Sequence, residues 1–191
     1  MDVAPHPHIG LQTVTWLLDG EVMHADDLGS ESLLRPGSVN VMTSGGGIAH
    51  AEQTPRDNSG HLNGVQLWVA LPDEHRHMAA SFAHVIDVPV SESSGTRLHV
   101  FAGAVDGVTS PAPHYSEIVG ADLEIGPALR RELPLDIRHE HAVLVLNGDC
   151  LVDGQALESG GDDDEVVGAE NTITHHRLQV RLGTDERNYY L

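Results

Sequence analysis

Short runs of apolar, β-branched and aromatic residues recur along the chain, each closed by a turn signal, and helical periodicity is rare. Thr13 to Leu18 reads as a strand, and Asp19-Gly20 is a strong hairpin turn leading into Glu21-Val22-Met23-His24. Pro36-Gly37 marks another turn, after which Val39 to Met42 predicts a strand that alternates toward a core. Val65 to Leu71 gives a further apolar strand ended by Pro72, and Arg97 to Gly103 restarts the β rhythm. Between them, Asp73 to Phe82 predicts one short helix with Asp73 as its cap. Many short strands and few helices indicate an all-β barrel or sandwich.

The pattern repeats. His139-Glu140-His141 leads through Ala142-Val143-Leu144-Val145-Leu146 to Asn147-Gly148, as His6-Pro7-His8 leads through a strand to Asp19-Gly20. Two copies of one unit imply two similar domains. The boundary is expected between Asp87 and Gly95, where Pro89 and Ser91-Glu92-Ser93-Ser94-Gly95 read as a linker. That gives an N-terminal domain over 1–88 and a second domain over 89–191. The acidic run Asp162-Asp163-Asp164-Glu165 is read as an exposed loop, because it lacks the spaced ligands and central glycine of a calcium loop.

Charge narrows the partners. Among 191 residues, 29 acidic side chains face ten basic ones, all arginine, for a net charge of -19. Such a surface repels phosphate backbones and disfavours direct nucleic-acid binding. No apolar run approaches the roughly 20 residues of a membrane span, and the first ten residues lack a leader pattern, so a cytoplasmic location is expected. The single Cys150 excludes an internal disulfide and is read as a packed small hydrophobe.

The candidate chemistry lies in two pairs, His6-Pro7-His8 and His50-Ala51-Glu52, the latter behind Gly45-Gly46-Gly47. On a strand, residues i and i+2 share a face, so each pair can deliver two ligands to one point. Alone, a His-x-His near a terminus is usually a solvated tail; joined to His50-x-Glu52 behind a turn that admits close backbone approach, it becomes a metal constellation. Three imidazoles and one carboxylate suit Fe(II), Mn, Co, Ni, Cu or Zn rather than Ca or Mg. The glycine run is not a phosphate loop, since no Lys follows it. His175 and His176 are adjacent and would face opposite sides of a strand. His24, His61, His75, His77, His84, His99 and His114 fit no ligand spacing and are read as surface or satisfied polar residues.

These motifs, with Ile9-Gly10-Leu11-Gln12-Thr13-Val14-Thr15-Trp16, Arg35-Pro36-Gly37-Ser38-Val39, Met42-Thr43-Ser44 and Leu67-Trp68-Val69-Ala70-Leu71-Pro72, resemble the pirin family, and the likeness covers nearly the whole chain. The resemblance implies a bicupin of two β-barrel domains in tandem, with iron or a similar metal held by His6, His8, His50 and Glu52. Relatives of this kind include quercetin 2,3-dioxygenases and iron-dependent transcriptional co-regulators. The chain departs from the family at Ile9, Leu11 and Gln12, where Arg, Phe and Glu are usual, and the Gln removes a charge from a position expected beside the ion. Only five residues precede His6, and the chain ends at Tyr189-Tyr190-Leu191 without the usual closing segment. The first barrel is therefore expected to be shortened, with an exposed sheet edge that favours a homodimer.

The expected activity is dioxygenation of a flavonol-type phenol by O2. A ring hydroxyl beside a carbonyl binds a metal in its deprotonated form, and Glu52, the one carboxylate of the set, serves as ligand and as acceptor of the phenolic proton. The alternatives are a non-catalytic iron-binding regulatory module that contacts a protein partner, or an inactive truncated remnant.

Overall fold

The structure is a computed structural model that describes residues 1–126, 129–136, 138–146, 148–158 and 177–182. The acidic run at 162–165, His175, His176, Asn147 and the terminal Tyr189-Tyr190-Leu191 lie outside the described residues. The fold is all-β, and among the described residues there is no helix, so none is long and apolar enough to cross a membrane.

Two compact units form. The first comprises Met1–Val88 and Ser110–Glu117; the second comprises Pro89–Thr109 and the residues from Ile118 on. In the first unit the strands are β1 (Asp2–His8), β2 (Leu11–Asp19), β3 (Val22–Asp26), β4 (Glu31–Leu34), β5 (Val39–Thr43), β6 (Ile48–Gln53), β7 (Asn63–Ala70) and β8 (Ser81–Val85). They build two antiparallel four-stranded sheets, one in the order β1-β6-β3-β4 and the other β7-β2-β5-β8. Gly20, at φ +83°, turns the chain from β2 toward β3, a conformation that only glycine adopts without strain. Leu17 on one sheet packs with Val22 and Leu34 on the other. β2 is buried continuously from Gln12 to Leu17, so both of its faces are covered.

In the second unit the strands are β9 (Val90–Ser93), β10 (Thr96–Ala102), β11 (Ala104–Val105), β12 (Val108–Thr109), β13 (Gly120–Ile125), β14 (Arg130–Pro134), β15 (Asp149–Val152), β16 (Gln155–Glu158) and β17 (Arg177–Leu182). They form sheets in the orders β13-β10-β9 and β14-β17-β15-β16, with β11 and β12 as a separate small pair. Leu98, Val100, Leu123 and Val152 sit in its core, and Cys150 is packed among them. The buried Arg131 donates from its two terminal nitrogens to Thr96 Oγ1, Ser91 Oγ and the Asp106 carboxylate.

Two expectations fail. Residues 73–77 form turns rather than a helix: Arg76 N–H donates to Pro72 O, His75 N–H to the same carbonyl and Met78 N–H to His75 O, after which Ser81–Val85 joins the sheet. One turn closed on Pro72 is too short to propagate. Ala142 to Leu146 lies in no strand, although Val143 and Val145 point into the second core; the alternation reports burial, not a ladder.

Candidate metal site

Register places the candidate residues. β1 lies antiparallel to β6 with His6 opposite His50, and β3 pairs on the other side of β6 with His24 opposite Glu52. Strand alternation then points His6, His8, His24, His50 and Glu52 to one face of this sheet. The facing sheet contributes Thr15, Gln66, Trp68 and Phe82. Gln66 Nε2 donates to Thr15 Oγ1 at 3.1 Å and to Glu52 Oε1 at 3.0 Å, which joins the two sheets across the site. The His8 and Trp68 rings meet edge to face at 5.0 Å.

The turn before β6 depends on Gly45, whose φ is +49° and where an added Cβ would strike Met78 O. Its neighbour Gly46 donates to that same carbonyl. Close packing there fixes the phase with which β6 presents His50 and Glu52.

Two overlapping groups result. The ligand atoms of His6, His8 and His50 lie within 4.8 Å of one another, and those of His24, His50 and Glu52 form a second such group that shares His50. His6 Nε2 and His50 Nε2 stand 3.1 Å apart. Two donors about 2.1 Å from one ion, at a right angle, would stand about 3.0 Å apart. His6 Nδ1 lies 3.0 Å from Ala4 O, and a carbonyl only accepts, so in the neutral ring the proton is on Nδ1 and the lone pair is on Nε2. His8 Nε2 is buried with no hydrogen-bond partner. Convergent imidazole nitrogens, one of them an unsatisfied buried atom, fit a cation between them.

Electrostatics favours the neutral, ligating forms. Burial, reinforced by His6, His24 and His8, pushes His50 down to about 4 against a small opposing pull from Asp26. His8 is also lowered, first by burial and then by His6, with Glu52 opposing. A neutral imidazole is the form that binds a metal.

The four residues singled out by spacing thus divide: His6, His8 and His50 converge, and Glu52 joins them through His50. Three further residues were not anticipated. His24, read as a bystander, is 3% exposed and its ring lies 5.2 Å from that of His50. Asp26 bonds His24, and Gln66 holds Glu52. His24-Ala25-Asp26 is itself an i, i+2 pair of histidine and carboxylate like His50-Ala51-Glu52, the signal that marks those two. Gln12 does not sit beside the cluster. Thr15 faces it through Gln66, so Gln12, on the opposite phase of β2, points away and donates to Thr43 Oγ1 and Pro113 O.

Two strand-built units, with a histidine-rich potential metal site in the first, define a bicupin. The pirin family model matches residues 1–69. A Pseudomonas aeruginosa protein named "Putative quercetin 2,3-dioxygenase" is 44% identical over 80% of this chain and 48% of its own length. A "Pirin-like protein" of Caulobacter vibrioides is 38% identical over 82% of this chain and 56% of its own. Among solved structures, a quercetin 2,3-dioxygenase from Acinetobacter baumannii matches with a TM-score of 0.83 and 34% identity, covering all of this chain and 61% of that one. A bacterial pirin from Escherichia coli in complex with nickel(II) shares the fold, with a TM-score of 0.67 and 16% identity. The chain belongs to the pirin family. It spans about half the length of the curated relatives it matches.

Proposed function

We propose that the chain carries a mononuclear site for a divalent metal, most simply Fe(II), held by His6, His8, His50 and Glu52, and that it acts as a quercetin 2,3-dioxygenase-type oxidoreductase on a flavonol-like phenol and O2. The observation that carries the reading is the convergence of the His6 and His50 Nε2 atoms at 3.1 Å beside the unpartnered Nε2 of His8. The names of the Pseudomonas and Acinetobacter relatives supply the reaction class. Nickel in the Escherichia coli pirin supports a borderline divalent ion.

A bound ion would polarise a phenolic hydroxyl and lower its pKa. The remaining work falls to the protein. Glu52 is oriented by Gln66, so that one carboxylate oxygen can ligate while the other accepts the hydroxyl proton. Trp68, 65% exposed beside His8, offers a flat aromatic wall for a substrate ring. The test is O2 uptake with quercetin by protein of measured metal content. Turnover that scales with occupancy is expected; full occupancy without flavonol-dependent O2 uptake would sink the enzymatic reading.

A further inference from the structure

His24 and Asp26 lie behind His50. The Asp26 Oδ1 atom accepts from the backbone N–H groups of Leu28 at 3.0 Å and Ser30 at 2.9 Å, which leaves Oδ2 for His24 Nε2 at 3.1 Å. Both side chains are buried, at 3% and 0% exposure. Burial raises the Asp26 carboxyl, but the bonds from His24 and Ser30 outweigh it and hold the group below its usual value. An ionised carboxylate only accepts, so His24 Nε2 must carry hydrogen, and in the neutral ring Nδ1 is the lone pair. That lone pair faces His50 Nδ1 at 3.4 Å. Phe82 stacks on the His24 ring at 4.2 Å and 10°, which holds the ring plane in this orientation.

We propose that Asp26 and His24 form a hydrogen-bonded relay that fixes the His50 imidazole as its Nδ1–H tautomer and so turns an unprotonated Nε2 toward the ion. This rests on the metal-site reading above. His24 is then a positioning residue: each of its nitrogens has a partner, Asp26 on one side and His50 on the other. Metal-bound histidines commonly donate their second N–H to a carboxylate or carbonyl. Here the acceptor is a second histidine, which passes the polarisation of a buried carboxylate on to the ligand.

The test uses the full chain, with zinc and cobalt(II) as probes. In metal-free, 15N-histidine-labelled protein, NMR is expected to show His50 protonated at Nδ1 and bare at Nε2, and zinc should shift Nε2 of His50 while leaving His24 Nε2 protonated. In cobalt titrations, His24→Leu should bind about 10–100-fold more weakly than the parent. His24→Asn, whose Oδ1 can stand where Nδ1 stood and accept from His50, should recover most of that loss. Equal affinities for the two variants, an Nε2–H tautomer of His50, or zinc coordination by His24 itself would each overturn the proposal. Should a variant fail to fold, the tautomer in the unmodified chain decides. That measurement needs no metal, so failure of the unmodified chain to bind cobalt would overturn the metal-site reading and leave the relay to be judged by NMR.

Discussion

Gln66 reaches across from the facing sheet to grip both oxygens of Glu52, at 3.0 and 3.3 Å, from a single amide nitrogen. Its own carbonyl oxygen accepts from Trp68 Nε1 at 3.2 Å, so one side chain ties the carboxylate of the site to the aromatic wall at its mouth. Replacing Gln66 by Leu removes the only described amide on Glu52 while keeping the approximate volume. Metal affinity is expected to fall by about 10–100-fold, as for other outer partners of ligands, and isothermal titration with cobalt measures it.

His50 belongs to both ligand groups. His50→Ala is therefore expected to lower metal stoichiometry more severely than Gln66→Leu does, from one ion per chain toward none. Elemental analysis of untagged, dialysed protein gives the answer, and retention of a full equivalent would remove His50 from the site.

Glu52→Gln separates ligation from base chemistry. The amide oxygen keeps the shape and can still bind, but it has no basicity. Appreciable metal content with a rate reduced by roughly 10²–10⁴-fold is expected if Glu52 takes the substrate proton. An undiminished rate at equal metal content would leave Glu52 as a ligand only.

Acid should unfold the metal-free protein early. Burial lowers His50 to about 4 and also lowers His8, His84 and His114, against a usual value of 6.5. Between those values the unfolded chain binds protons that the folded chain excludes. The stability these groups contribute is therefore complete above pH 6.5 and is lost as pH falls toward 4. Thermal midpoints recorded across that range should decline steeply, and less so with zinc bound, because the ion competes with protons for the same nitrogens. A flat profile in the metal-free protein would contradict the assigned burial.

Much of this architecture is legible in the sequence because a strand has a period of two. His6 with His8, and His50 with Glu52, share a face by spacing alone, and Asp19-Gly20 closes the turn between β2 and β3. What spacing cannot supply is register and phase. His24 joins the site because β3 pairs with β6 so that it stands opposite Glu52, a relationship decided by cross-strand pairing 28 residues apart. Gln12 needed the phase of β2, and since that strand is buried on both faces, hydrophobicity does not reveal which side meets the histidines. The helix expected at Asp73 to Phe82 fails for a related reason: Phe82 is required opposite Met42 on β5, and tertiary pairing overrides a weak local preference.

β1 is an edge strand, and its ladder to β6 slips between Val3 and His6. Two of the proposed ligands, His6 and His8, ride on this edge strand, and the other two, His50 and Glu52, stand on the interior strand beside it. An ion held by all four would act as a rivet, adding a cross-link to the backbone pairing of β1 with β6. Loading is then expected to be readable away from the site, as slowed amide exchange along Asp2–His8.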